Sequence, residues 1–276
     1  MMTYATLMVV LEPGHANSAV LAIAGELAAR FQARVIGIAA CQPMQLTYGD
    51  GFVCGELIEQ DRDEIVKELK ESESEFRSAL KTRAVALEWR STITLTPISH
   101  HIANEARCAD LVITRAESGL LLNKSREVNT GDLVMQAGRP VLIVPGGAGK
   151  LKLEKALVGW KDTRETRRAI ADALPMLKEA AHVVVVGITK ESGMAATCVE
   201  LDDVVAWLRQ HNVKAEPLAS LSIDDDTTQL MAIAQDQKAD IVVAGAYGHS
   251  RLREWILGGV TRDLLLCADC CSLISH

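Results

Sequence analysis

The sequence lacks both a surplus of positive charge and a long apolar run. Lysine and arginine total 29 against 36 aspartates and glutamates, which gives a formal net charge of -7. Because nucleic acids are bound mainly through cationic surfaces that neutralise phosphates, this balance argues against a nucleic-acid partner. No apolar stretch approaches the roughly 20 residues needed to span a bilayer, so we also expect no membrane segment.

A recognisable export signal is missing as well. The first 11 residues are apolar, but they carry no cationic flank and no small-residue cleavage site, and Glu12 and Pro13 interrupt them. We therefore interpret this segment as a strand and expect a cytoplasmic protein. In that compartment the seven cysteines are predicted to be reduced thiols.

What the sequence does contain is a regular alternation of strand and helix patterns. Short β-branched runs, typical of buried parallel strands, are separated by longer segments whose apolar residues recur at helical spacing. This order predicts an α/β fold with a mainly parallel sheet covered by helices on both faces. In the first half the predicted strands are residues 6–11, 34–40, 86–89, 111–114 and 140–144. Ser18 or Asn17 is expected to cap the first helix, and the other predicted helices span residues 57–82, 98–107 and 130–137.

A glycine-rich segment, residues 145–150, breaks this alternation and is predicted to be a linker. Its Gly149-Lys150 pair does not form a phosphate-binding loop, because Val144 holds the position of the first glycine and Leu151 replaces the hydroxyl residue.

The same pattern of elements begins again after the linker. Residues 155–160 mirror the first strand, and residues 182–186 mirror the second. Residues 109–113 (ADLVI) parallel residues 239–243 (ADIVV), and residues 130–134 (TGDLV) parallel residues 261–265 (TRDLL). The repeat predicts two copies of one α/β unit in tandem. We place their boundaries at residues 1–146 and 152–276.

The second copy contains a distinctive glycine pattern after its fourth strand. Gly245 and Gly248 follow the apolar run that starts at Ile241, and after nine further residues come Gly258 and Gly259. Glycines let a ligand approach the backbone, and the free N–H groups at a helix N-terminus bind anions. By itself this spacing is compatible with a phosphate site or with a plain strand-to-helix turn.

The pattern Gly245-x-x-Gly248, nine residues, then Gly258 closely resembles the nucleotide-binding signature of the universal stress proteins. In that family a serine or threonine usually follows the last glycine, whereas Gly259 stands there in this sequence. Thr261, two residues later, matches a common threonine of the family. The departure at Gly259 puts the affinity for phosphate in doubt more than the location of the site.

The resemblance covers nearly the whole chain and implies a tandem universal stress protein. The implied fold is two doubly wound, Rossmann-like domains, each with a five-stranded mainly parallel sheet. They would pack as an internal pseudo-dimer through residues 140–144 and 272–274, with a homodimer of chains left open. The implied ligand is an adenine nucleotide, ATP or AMP, with Mg²⁺ as an optional companion and a regulatory role in stress resistance. Its phosphates would lie along Gly245, Gly248, His249, Gly258, Gly259, Val260 and Thr261.

The family commonly carries an aspartate in the turn after its first strand, where this chain has Lys161, Asp162 and Thr163. Asp162 could accept hydrogen bonds from the nucleotide with its position shifted by one, or Lys161 could attract phosphate. Alternatively, Asp162 or Thr163 only caps the following helix.

The first copy has lost the glycine pattern. Gly119 is the single glycine in the matching segment, and Glu117 and Glu127 would repel phosphate. Glu12 occupies the position after the first strand. We therefore expect nucleotide binding in the second copy only, and a structural or regulatory role for the first.

Other polar clusters are weaker candidates for chemistry. Cys267 and Cys270 form a C-x-x-C pair followed by Cys271, but Cys267 ends a predicted helix, where the dipole disfavours a thiolate. Residues 224–226 are three aspartates that could hold magnesium or cap a helix. We find no catalytic set of residues, so an enzyme such as a slow ATPase, or a scaffold or sensor without nucleotide, are the alternative functions.

Overall fold

A computed structural model describes residues 3–44, 55–116, 125–223, 225–246 and 270–276. The first half contains β1 (Thr6–Val10), α1 (Ser18–Phe31), β2 (Arg34–Cys41), α2 (Gly55–Leu80), β3 (Leu87–Ile93), α3 (Ile98–Glu105), β4 (Leu111–Arg115), α4 (Thr130–Gln136) and β5 (Val141–Val144). The second half contains β6 (Lys155–Trp160), α5 (Arg164–Glu179), β7 (His182–Thr189), α6 (Met194–Gln210), β8 (Ala215–Leu221), α7 (Asp226–Asp236), β9 (Ile241–Gly245) and β10 (Cys271–Ser275).

The ten strands form one continuous sheet in the order β3-β2-β1-β4-β5-β10-β9-β6-β7-β8. Counted outward from the central strands β5 and β10, the two halves have the same strand order. The sequence repeat therefore corresponds to a pseudo-twofold symmetry axis between the halves. Every pairing within a half is parallel, as the alternating pattern predicts. The predicted fold of two tandem doubly wound units is confirmed.

The two halves join through an antiparallel pairing of β5 with β10. Ser272, Leu273 and Ile274 lie opposite Ile143, Leu142 and Val141. These are the segments that the resemblance indicated as the seam. Because the pairing is made of backbone hydrogen bonds between buried strands, the halves share one sheet.

Alternation along the strands divides the core between the two faces of the sheet. Leu7 and Val9 of β1 belong to the cluster under α1, α2, α5 and α6, whereas Met8 and Val10 belong to the cluster under α3, α4 and α7. Both clusters extend across the seam into the second half. Helices on both faces therefore bury strands that are apolar on both sides.

Some predicted boundaries differ from those observed. The third strand runs to Ile93 because it pairs with β2 along its whole length. Asn17, one of the two residues expected to cap α1, occupies the N-cap position, but its side chain makes no capping hydrogen bond. Its Oδ1 instead accepts from the backbone N–H of Glu12 at 2.9 Å. None of the helices in the described ranges is long and apolar enough to cross a membrane.

Candidate functional site

The candidate site of the second half lies where the strand order changes direction. From β6 the chain continues to β7 on one side, whereas β9 pairs on the other side, with Ala156, Leu157 and Val158 opposite Ile241, Val242 and Val243. Connections leaving the carboxyl ends of such strands diverge and open a crevice, which is where open α/β sheets bind ligands. We refer to this place as the C-terminal crevice.

Gly245 ends β9 at the C-terminal crevice and has no room for a side chain. A Cβ atom at this position would lie 2.4 Å from the backbone nitrogen of Thr166 and 2.6 Å from the carbonyl carbon of Glu165. The first turn of α5 is thus packed directly against the end of β9. Any larger residue would push a helix N-terminus away from the crevice.

The turn after β6 brings the other described candidates to the same edge. Thr163 is the N-cap residue of α5, and its hydroxyl accepts a hydrogen bond from the backbone N–H of Thr166 at 3.2 Å. The capping interpretation of Thr163 is therefore observed.

Lys161 and Asp162 each form an exposed ion pair. Lys161 Nζ lies 3.7 Å from Asp226 Oδ2, and Asp162 Oδ1 lies 3.1 Å from Arg167 Nη2. Exposed pairs of this kind stabilise a protein by at most about 1 kcal/mol. A ligand that offers better partners can therefore redirect both side chains at small cost.

The remaining candidates lie outside the described residues. They are Gly248, His249, Gly258, Gly259, Val260 and Thr261, together with Gly119, Glu117 and Cys267.

The equivalent crevice of the first half is filled by the chain's own side chains. Glu12, only 5% exposed, accepts a hydrogen bond from the backbone N–H of Val128 at 3.1 Å, and its other carboxylate oxygen lies 3.4 Å from Arg115 Nε. Burial raises the pKa of Glu12, while the Val128 N–H and the Arg115 guanidinium oppose that shift. Glu127, expected to repel phosphate, lies with its Oε1 3.4 Å from His15 Nε2.

A second buried group, centred on Arg126, lies beside Glu12. Arg126 Nε donates to Glu68 at 2.9 Å, and Nη2 donates to Asp61 at 3.2 Å. Nη1 donates to the carbonyl of Gln42 at 3.3 Å. We call Arg126, Asp61 and Glu68 the Arg126 triad. The triad ties the segment before α4 to the long helix α2, so the first crevice is closed by internal charge pairs.

No motif in the sequence indicated the Arg126 triad, because Arg126 lies 58 residues from Glu68 and 65 residues from Asp61 along the chain. The sequence does contain one indication of it. Asp61 and Glu68 are seven residues apart on a predicted helix, so their carboxylates lie on the same face.

Two described residues of the other polar clusters occupy structural positions. Asp225 caps α7 through hydrogen bonds from the N–H groups of Thr227 and Thr228, at 3.1 and 3.2 Å. Cys271 is buried in β10. Within the ranges that the structure describes, no group of three His, Cys, Asp or Glu side chains could hold a metal ion.

These observations define a tandem doubly wound α/β protein with one crevice at each switch in strand order. Solved structures with this architecture include universal stress proteins. One from Archaeoglobus fulgidus superimposes with a TM-score of 0.78 at 11% identity, covering 98% of this chain and 96% of that one. A putative universal stress protein from Pseudomonas aeruginosa gives 0.66 at 13% identity, covering 99% of this chain and 93% of that one.

A third structure, a protein of unknown function from Pseudomonas aeruginosa, gives a TM-score of 0.61 at 14% identity, with 99% and 92% of the two chains covered. Comparison with protein-family models gives no match, and comparison with curated proteins gives none either. The chain therefore has the tandem universal stress protein fold. At identities of 11–14%, the similarity to these structures establishes the fold and not the function.

Proposed function

We propose that this protein binds an adenine nucleotide, ATP or AMP, in the C-terminal crevice and uses it as a regulatory ligand. The observation that carries the proposal is Gly245, where the end of β9 touches the backbone at the start of α5. The contact brings Gly245, the first residue of the glycine signature, next to the first turn of α5 and close to the turn after β6, so we expect a nucleotide bound in the crevice to reach both segments.

The turn after β6 supports the same assignment. Lys161 and Asp162 are exposed beside the crevice, where they can leave their weak ion pairs for phosphate and for ribose or adenine. The glycine signature, residues 245–261, is proposed to supply the remaining phosphate contacts. Mg²⁺ would accompany ATP as part of the ligand.

The first crevice is proposed to bind no nucleotide. Its space is taken by Glu12 and the Arg126 triad, whose carboxylates would also repel phosphate. We therefore expect one nucleotide per chain, and a structural role for residues 1–146. A cytoplasmic location and a role in stress resistance complete the proposal.

The test is to denature freshly purified protein, identify any released nucleotide by mass spectrometry, and titrate ATP and AMP into stripped protein. Gly248→Asp is expected to abolish binding, because a carboxylate would enter the phosphate path. Gly147→Asp is the matched control, since Gly147 lies in the linker with nothing near its Cβ position.

Binding by wild type that is retained in Gly147→Asp and lost in Gly248→Asp supports the site. Absence of binding by wild type refutes the proposal and favours a scaffold or a sensor of another ligand. Magnesium-dependent turnover of ATP would instead favour the enzyme.

A further inference from the structure

A concave basic pocket lies at the junction between the two halves, away from both crevices. Its volume is about 390 Å³, and it is lined by Glu26, Ala29, Arg30, Arg83, Lys150, Leu151 and Lys152. Helix α1 runs from the end of β1 to the start of β2, so its last turn lies at the edge of the sheet where the strands begin. The crevices lie at the opposite edge.

The residues that line this pocket carry a net positive charge, whereas the chain as a whole is negatively charged. Four cationic side chains face a single carboxylate, that of Glu26, although the chain as a whole has a net charge of -7. Among the described residues, none of the four cations lies within ion-pair distance of a carboxylate. Glu26 is itself engaged, since its Oε2 accepts a hydrogen bond from the backbone N–H of Leu151 at 2.8 Å.

The four cationic residues are exposed, and buried neighbours fix the segments that carry them. Gly25 in α1 leaves room for Arg83, whose Cδ lies 2.7 Å from the position that a Cβ on Gly25 would take. Leu151 and Leu153 are buried, 3% and 2% exposed, and anchor the linker in the core. Because side chains alternate along an extended chain, Lys150 and Lys152 project outward together.

We propose that this pocket binds a small phosphate compound with several negative charges, of the pyrophosphate class. A concave site with four cations, none of them in an ion pair with a described carboxylate, stabilises such an anion by attraction at short range. Arginine adds paired N–H donors that match phosphate oxygens. Since Lys150 and Lys152 come from the segment that joins the halves, the bound anion would connect that segment to α1.

Titration of pyrophosphate into wild type, followed by calorimetry and phosphorus NMR, tests the proposal. The double substitution Lys150→Gln/Lys152→Gln, and separately Arg83→Gln, are expected to raise Kd by about tenfold or more, which corresponds to ~1.4 kcal/mol. Lys70→Gln/Lys238→Gln is the matched control, because it removes the same charge from exposed lysines that do not line the pocket. Its Kd should be unchanged, and circular dichroism should be the same for all variants.

Gly248→Asp separates this site from the nucleotide site. Retention of pyrophosphate binding in Gly248→Asp, with loss in the pocket variants, supports the basic pocket. Loss in Gly248→Asp alone assigns the anion to the glycine signature and overturns the inference. No binding by wild type at low ionic strength, or an equal loss in the control pair, also overturns it.

Discussion

Replacing Arg126 by methionine should destabilise the protein far more than removing an ordinary surface arginine. The Arg126 side chain is 7% exposed, and those of Asp61 and Glu68 are 9% and 19% exposed. Arg126→Met leaves two carboxylates buried without their cation. Breaking a buried ion pair in this way costs about 3–5 kcal/mol, and the partial exposure of Glu68 favours the lower end of that range.

Urea denaturation followed by circular dichroism measures the effect. With a slope of about 3 kcal/mol per molar urea, a loss of about 3 kcal/mol lowers the midpoint by about 1 M. Arg77→Met is the matched control, because Arg77 forms an exposed pair with Glu73 one helical turn away. That substitution should cost at most about 0.5 kcal/mol.

A triple variant distinguishes an unpaired charge from simple loss of packing. Combining Arg126→Met with Asp61→Asn and Glu68→Gln removes all three charges. The new amide oxygen at position 61 can still accept from the N–H of Met44, as Asp61 Oδ2 does at 2.8 Å. The triple variant should recover most of the stability. Equal costs for Arg126→Met and Arg77→Met, or a triple variant as unstable as the single one, would refute the reasoning.

Three further outcomes are expected. Burial raises the pKa of the Cys41 thiol to about 12, so peptide mapping after alkylation at pH ~8 should find exposed Cys108 modified and Cys41 intact in the folded protein. In thermal denaturation, Gly245→Ala should lower the free energy of unfolding by about 1–3 kcal/mol because the new methyl group would overlap the backbone of Glu165 and Thr166, whereas Gly147→Ala should have no effect. Burial also raises the pKa of Asp172, so the protonated carboxyl favours the folded protein, and this stabilisation is lost as the pH rises through the pKa that Asp172 has in the folded state. The melting temperature should fall over that pH range, and Asp172→Asn should remove this decline.

The local part of the fold follows from the sequence alone. Residues 155–160 were predicted as a strand with the observed bounds, because a short apolar run after a glycine-rich linker has few alternatives. The seam was also indicated correctly, through the resemblance and the position of the last strand. The long charged helix was placed within two residues at each end, since its inward residues Ile65 and Leu69 recur at helical spacing.

The contacts of individual polar side chains were less predictable. Asn17 is a residue type that favours helix caps, yet its side chain bonds to the loop after β1. Thr163 could have been a ligand or a cap, and only the geometry of the turn shows the cap. A residue type limits the hydrogen bonds that a side chain can make, whereas the backbone around it decides which of them form.

Sequence by itself determined the alternating elements, their repetition and the glycine signature, because each is a property of residues close together in the chain. Tertiary structure decided that the halves share one sheet, that the first crevice is filled by Glu12 and the Arg126 triad, and that four cations meet beside the linker. Those features depend on which distant segments the strand order brings together. Helical spacing in the sequence can place Asp61 and Glu68 on one face of a helix, but it does not identify Arg126, 58 and 65 residues away, as their partner.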